Sequence, residues 1–427
     1  MGASSVVNGR GHLIPLLASA GILLAGNGLQ VTLVAVRANL EGFPVTLVGL
    51  LGTVYYVGTI FGCLFTAGLI KRSGHIRVFA ALAALAAVCT LSLVLAVDIW
   101  VWVAARMITG FCFSGLSMVI ESWLNAKAAN TERGRVFSLY RLVDPTAVTG
   151  AQFLLPAFGA GGFSIFGIVA ILFCLALIPV SLSAQSSPTP PESARLRLRY
   201  VWAISPVGCI GCLTIGFTNG AFRTVGPVFA QNVGLAVDQV ALFVSAGIVG
   251  GAVAQYPFGW LSDRYDRRRV LILATAGAAG AGLFLTLFAA ADPNWVFAGA
   301  FCFGLFAIPL YSLSIAHAND HAKPEDYVEL SGGLILSFGI GASIGPFIGS
   351  AVIDAFGGPA LFTYTTVVHL IFLAFVAYRM TRRGAVAEGL KTRYVSLLRT
   401  SPAIFRLSHR EIAGARKEKP ASDGKET

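Results

Sequence analysis

Charge is scarce in this chain. Asp, Glu, Lys and Arg make up 12% of its 427 residues and hydrophobic residues 56%, whereas a soluble domain carries about 25% charge. That balance excludes a water-soluble fold. Acids are the scarcer sign, 20 against 31 bases, and there are only six histidines. The seven cysteines (Cys63, Cys89, Cys112, Cys174, Cys209, Cys212, Cys302) all fall inside apolar runs, and no His stands beside the one close pair, Cys209 and Cys212. They read as small buried hydrophobes. His-rich clusters, zinc spacing, a Ser/His/Asp constellation and a phosphate loop are missing from the sequence. An enzyme is therefore not expected, nor is a metal or a cofactor.

Long apolar runs are abundant. Twelve recur, at 13–36, 45–70, 78–97, 100–120, 136–158, 163–182, 201–229, 240–261, 270–291, 295–316, 330–353 and 359–380. At 1.5 Å of helical rise per residue each can cross a hydrocarbon core of about 30 Å. The expected fold class is an all-α integral membrane protein with twelve transmembrane helices. The first run exceeds a signal-peptide core of about 7–15 residues and is expected to act as its own insertion signal.

The net charge of +11 would suggest nucleic acid in a soluble protein, but here the basic residues sit on alternate loops. Lys71, Arg72 and Arg77 share one loop, Lys127, Arg133 and Arg135 the next such loop, then Arg195, Arg197 and Arg199, then Arg264, Arg267, Arg268 and Arg269, then Lys323. Arg10 and the run from Arg379 onward flank them at the two ends, while the intervening loops hold Arg37 with Glu41, Asp98, Asp238, Asp292 and Asp354. The positive-inside rule puts both termini in the cytoplasm of a cell inner membrane, which an even number of spans permits. The charge is topogenic or faces anionic lipid, and no nucleic-acid partner is expected.

Segment 183–200, with its "SSPTPP" run, reads as a cytoplasmic linker between an N-terminal bundle (1–182) and a C-terminal bundle (201–383), followed by a basic cytoplasmic tail (384–427) to which no chemistry is assigned. A weak repeat relates the halves. Asn27-Gly28 with Thr32 matches Asn219-Gly220 with Thr224, and "GFCFSG" at 110–115 matches "AFCFGL" at 300–305. Two similar six-helix bundles with a site between them at mid-membrane permit alternating access by rocking.

The loop "GWLSDRYDRRRV" (259–270) resembles the signature loop of the major facilitator superfamily, with Gly259, Asp263, Arg264 and Arg268 in place and Asp266 where that family has Gly. The resemblance implies a conformational loop on the cytoplasmic side, and Asp at 266 is expected to tolerate a left-handed turn. The first-half copy, "AGLIKRSGHIRV" (67–78), keeps Gly74 but has Lys71 in the acid position. "WVAARMITGFCFSG" (102–115) is similar to the family's fourth-helix pattern through Arg106 and Gly110. "GIGASIGPFIGS" (339–350) resembles an exporter pattern of that family, displaced to the eleventh helix. Gly341, Gly345 and Gly349 share a face for close helix packing, and Pro346 permits a bend. Runs 120–141 and 245–264 look most similar to the YcaD-like branch of bacterial transporters. The resemblance, over roughly residues 12–380, implies secondary transport of a small solute and supplies no substrate.

Ionisable groups within spans mark function by default. Glu121, Arg141 and Asp144 lie toward the cytoplasmic face and form either a structural ion-pair cluster or a proton-coupling site, so protons are a candidate partner besides a small-molecule substrate and membrane lipid. Arg106 and Arg223 lie in the outer half with no acid at their depth. They are expected to line a cavity and meet an anionic or zwitterionic group, together with Asn27, Gln30, Asn219 and Tyr311. Tyr55, Tyr56, Gln255 and Tyr256 are weaker candidates, and His369 reads as a packing residue. A monomeric secondary transporter is the leading reading. A cation or multidrug efflux antiporter, which needs an outer carboxylate, and a non-transporting sensor, which needs a soluble output domain, are the alternatives.

Overall fold

The structure is a computed structural model and describes residues 13–127, 133–181, 198–323, 326–382, 384, 391, 392 and 394. Among these residues there are helices and no strands. In chain order the first half comprises α1 (Leu13–Leu40), α2 (Val45–Ser73), α3 (His75–Leu95), α4 (Ile99–Lys127), α5 (Arg133–Gln152, continued by Leu154–Phe158) and α6 (Phe163–Leu175, continued by Leu177–Ser181). The second half comprises α7 (Pro206–Asn232), α8 (Val237–Arg264), α9 (Arg267–Phe288), α10 (Pro293–Ala307, continued by Pro309–Asn319), α11 (Tyr327–Phe356) and α12 (Ala360–Arg382), with a short helix, Leu198–Ile204, before α7.

Local chemistry sets several of these ends. The run read as 201–229 is broken at Ser205, whose hydroxyl accepts from the Gly208 N–H while Pro206, lacking an N–H, fills the first turn. Asp292 and Pro293 start α10 in the same way. Gly74 closes α2 at φ 82°, a conformation a side chain would oppose, and donates to the Ile70 carbonyl.

Ten of the described helices are long and apolar enough to cross a membrane on composition alone. The two further long helices, α5 and α7, lie in the same bundle, α5 along α1 and α7 along α11. They miss that composition because they carry the polar groups of the interior: Arg141 and Asp144 on α5, Asn219 and Arg223 on α7. Around the outside, large apolar side chains such as Phe65, Val88, Leu287 and Ile371 are exposed. A belt of that extent is not stable against water and faces hydrocarbon. Cys174 and Cys302 belong to this exposed surface, and the other five cysteines are buried.

The halves are built alike. α1 pairs with α5, α2 with α4 and α3 with α6, and correspondingly α7 pairs with α11, α8 with α10 and α9 with α12. Glycine permits the closest approaches. A methyl group at Gly58 would overlap the Met107 carbonyl and one at Gly110 the Tyr55 carbonyl, locking α2 to α4; Gly250 and Gly304 do the same between α8 and α10. Gly341 and Gly345 press against the Leu213 and Phe217 carbonyls of α7, whereas Gly349 sits more loosely, 3.0 Å from Leu361 and 3.2 Å from Ala221 on the same measure.

We call the membrane face holding the start of α1 and the end of α12 the terminal side, and the opposite face the far side. On the far side the halves touch. Asn39 Nδ2 donates to Gln231 Oε1 at 3.1 Å, and Asp354 accepts from the Thr46 N–H at 2.9 Å and from the Thr46 hydroxyl. Gly49 and Gly52 of α2 bring the helices together here: a methyl at Gly49 would lie 2.6 Å from the Pro346 carbonyl and overlap Ser350, and one at Gly52 would lie 2.8 Å from Thr224. Pro346 thus stands at the seam between halves. Gly49→Val is expected to prevent this seam from closing. In an otherwise cysteine-free protein carrying Ser350→Cys, which sits fully buried in the seam, the valine should speed alkylation by an impermeant maleimide added on the far side by about 10-fold or more, the equivalent of the roughly 1–3 kcal/mol that overpacking costs.

Candidate functional site

With the far side sealed, a cavity of about 760 Å³ lies between the halves, running from Asn27, Asn219 and Arg223 partway along α1 and α7 to Asp263 and Tyr394 on the terminal side. Its walls are mostly apolar and aromatic, including Tyr55, Tyr56, Phe222 and Phe338. Such a lining with a few convergent polar groups is the usual make-up of a small-molecule site.

At the inner end of the cavity, α7 supplies two polar side chains one turn apart. Both amide atoms of Asn219 are buried without a hydrogen-bond partner among the described residues. Arg223 lines the cavity and makes no ion pair or hydrogen bond with any of them. Burying an amide unbonded costs on the order of 1–3 kcal/mol in proteins, so this wall is poised to bond something that enters. Opposite it, the Tyr55 hydroxyl donates to Asn27 Oδ1 at 2.9 Å.

Arg106 and Gln30 do not line the cavity, contrary to the expectation from depth. The Arg106 guanidinium lies behind Tyr55, 4.3 Å from the ring centroid, and donates to Gln30 Oε1 at 3.2 Å. Gln30 in turn donates to the Thr90 hydroxyl at 2.7 Å. Depth along a helix fixes how far a residue is from the surface but not which way it faces. Here α4 turns Arg106 into the first-half interior, where ring and amide hold the cation. Arg106 therefore supports Tyr55 from behind. Tyr311 is likewise absent from the cavity wall and packs edge-on against Phe338 at 5.4 Å.

Of the three groups toward the terminal side, Arg141 and Asp144 face the cavity, while Glu121 is fully buried outside it and accepts from the Tyr140 hydroxyl at 3.3 Å. All four weaker candidates, Tyr55, Tyr56, Gln255 and Tyr256, are on the wall. His369 is buried, with its ring edge-on to Phe303 at 5.9 Å.

The signature loop departs from expectation at Asp266. Its φ is −58°, so no left-handed turn forms. Instead Asp266 caps α9, accepting from the Arg268 N–H at 3.0 Å and pairing with the Arg268 guanidinium at 2.8 Å. Burial pushes the Asp266 carboxyl up, but the bonds and charge of Arg268 outweigh it and hold the group below its ordinary value. Arg264 lies over the Trp260 ring at 5.5 Å. Asp263 faces Arg267 at 3.5 Å, and Arg267 pairs with Asp320 at 2.7 Å, both side chains 2% exposed. Gly259 faces the Tyr394 ring, which a methyl group there would approach to 2.6 Å. The residues that sequence reasoning missed are Lys391, Thr392 and Tyr394, which dock on this cluster. A basic tail gives no signal for that.

A family model described as Major Facilitator Superfamily matches residues 16–207 and 208–412. Among curated relatives, an uncharacterized MFS-type transporter of Yersinia pestis is 26% identical over 377 residues, covering 84% of this chain and 94% of its own length. The uncharacterized MFS-type transporter YcaD of Escherichia fergusonii is 24% identical over 366 residues with the same coverage. Among solved structures, the nucleoside transporter NupG superposes with a TM-score of 0.74 at 11% identity over 87% of this chain and 100% of that one. A bacterial homologue of the human lysosomal transporter Spinster, in an inward-facing and occupied conformation, gives 0.70 at 14% identity over 89% and 97%. At these identities the two structures share the fold.

Proposed function

The chain belongs to the major facilitator superfamily, and from that premise we propose that it carries a small organic anion or zwitterion across the cell inner membrane by alternating access, with both termini cytoplasmic. The observation that carries this reading is the pairing on α7 of an unbonded, buried Asn219 amide with an Arg223 guanidinium that has no partner among the described residues, both at the cavity's inner end. Arg supplies a planar fork of donors suited to carboxylate or phosphate, and the amide adds both a donor and an acceptor. Tyr55 and Asn27 offer polar atoms from the facing half, so a bound solute would touch both halves, as a rocking mechanism needs.

The conformation supports the same reading. The far side is sealed between halves at Asn39, Thr46 and Gly49, while the cavity reaches the terminal side, the inward-facing arrangement if the basic loops are cytoplasmic. Asp144 is the cavity-lining carboxylate of the first half, which makes it the coupling candidate for a proton, with Arg141 one turn away on α5. Cation efflux draws on a carboxylate at the cavity's inner end, and the wall there bears Arg223 instead.

A thermal-shift screen on purified protein tests the charge preference. Panels of monocarboxylates, amino acids, organic phosphates and quaternary amines are compared at equal concentration. Stabilisation by anionic or zwitterionic members, abolished in Arg223→Ala, is the expected result; ligand at 100 times its Kd stabilises by about 2.7 kcal/mol. Stabilisation by the amines alone, unchanged in Arg223→Ala, would sink the proposal.

A further inference from the structure

The turn between α8 and α9, with the end of α10, forms a receptor for the chain's own tail. Asp320 has its two oxygens divided: Oδ2 takes the Arg267 guanidinium at 2.7 Å, and Oδ1 accepts from both the backbone N–H and the hydroxyl of Thr392 at 2.8 Å each. Arg267 also donates to the Thr392 carbonyl and to Ser262 Oγ at 3.1 Å. Bonds to the remaining lone pairs and protons offset the cost of burying an ion pair, and Thr392, itself 8% exposed, supplies such bonds to both Asp320 and Arg267. Two further bonds flank it: Lys391 Nζ donates to the Tyr265 carbonyl at 3.1 Å, and Asp263 accepts from the Tyr394 N–H at 2.8 Å.

These contacts aim Tyr394 into the cavity mouth. Its hydroxyl donates to Gln255 Oε1 at 2.7 Å, its ring lies where Gly259 has no side chain, and burial raises its pKa. The hydrogen bonds named here all run to the second half. Yet Arg141 of α5 lines the same mouth from the first half. The Tyr394 ring lines the mouth between Arg141 of α5 and Gly259 of α8, so a closure of α5 onto α8 at this level, as alternating access would call for, meets the ring.

We propose that Lys391, Thr392 and Tyr394 form a self-docking strap and that Tyr394 is a wedge holding the mouth open, biasing the protein toward the state sealed on the far side. This rests on the alternating-access reading above. The strap bonds to Gln255 at the mouth and to neither Asn219 nor Arg223 at the inner end of the cavity, so it acts on the conformational equilibrium.

The test reads that equilibrium without any solute. The full chain, cysteine-free except for Ser350→Cys, is placed in membranes, and an impermeant maleimide is added on the far side; the buried thiol reacts only when the seam opens. Tyr394→Ala, and separately a chain ending at Leu390, should each raise the labelling rate by ~5-fold or more, the lower range of allosteric couplings. A synthetic peptide of residues 389–399 supplied on the terminal side should return the shortened chain toward the parent rate. Unchanged rates in both variants overturn the strap, and a rise on shortening but not in Tyr394→Ala overturns Tyr394 as the wedge. Gly49→Val separates the two readings: if it too leaves the rate unchanged, the seam does not open and alternating access fails, whereas acceleration by Gly49→Val alone removes only the strap.

Discussion

In proteoliposomes, Arg223→Ala is expected to cut solute flux by about 10- to 150-fold, the kinetic equivalent of the roughly 1.5–3 kcal/mol carried by a hydrogen bond to a charged group. Because Arg223 holds no partner among the described residues when the cavity is empty, its removal breaks no bond of the resting protein. The thermal midpoint without solute should therefore hold while transport falls. Arg223→Lys keeps the charge but loses the two-pronged fork, and recovers flux only in part. Asn219→Ala follows the same logic with a neutral bond, worth about 0.5–1.5 kcal/mol, or ~2- to 12-fold in rate. Counterflow assays with any solute found by the thermal-shift screen measure all three. Full flux in Arg223→Ala would remove the anion-binding wall from the mechanism. Arg106→Ala should behave differently: it strips the support behind Tyr55 and the bond to Gln30, so stability and transport fall together.

Gly110→Leu should prevent folded protein from accumulating. A side chain there meets the Tyr55 carbonyl and lies near the Thr59 N–H, backbone atoms of α2 that cannot rotate aside. Even alanine must force α4 away from α2, and overpacking of this kind costs about 1–3 kcal/mol. The displacement would pass straight to the Tyr55 ring and the Asn27 bond on the cavity wall, so a surviving Gly110→Ala protein should lose solute affinity as well as thermal midpoint. Gly68→Ala is the control. A methyl at Gly68 meets nothing within 4 Å, and alanine is favoured over glycine in a helix by about 0.5–1 kcal/mol. Fluorescence-detected melting of the three variants decides the matter; equal midpoints for Gly68→Ala and Gly110→Ala would show that the α2–α4 contact is not rigid.

The fold was legible because the membrane simplifies the code: long apolar runs must be helices, and basic residues mark alternate loops. Breaks within runs were less legible. Ser205 and Pro206 split one predicted span, and Pro309 follows a break in another, because a cap or a proline interrupts a helix without changing its hydropathy. The site was half legible. Asn219, Arg223, Asn27, Arg141 and Asp144 stand on the wall because an amide or charge within a span has few other places to go. Arg106 misled because burial behind an aromatic ring satisfies a cation as well as a cavity does, and nothing in the local sequence separates the two. Tyr55 and Tyr56 also stand on the wall, which the sequence does not announce because tyrosines in spans commonly anchor at interfaces. The docking of Thr392 depends on Asp320, 72 positions earlier, a pairing that no local pattern announces.

On the reading proposed above, the Arg223 cation at the inner end of the cavity also makes the empty and the loaded carrier electrically unequal there. A monovalent anion seated against it leaves the pair neutral, so reorientation with cargo moves little net charge, while the return trip without cargo carries a bare positive charge at mid-depth. An elementary charge crossing the full field gains or loses about 2.3 kcal/mol per 100 mV, and any fraction of that falls on the unloaded step. Membrane voltage would then set the pace of the cycle through the resetting of the vacant protein, with a cell interior at negative potential drawing the empty site inward.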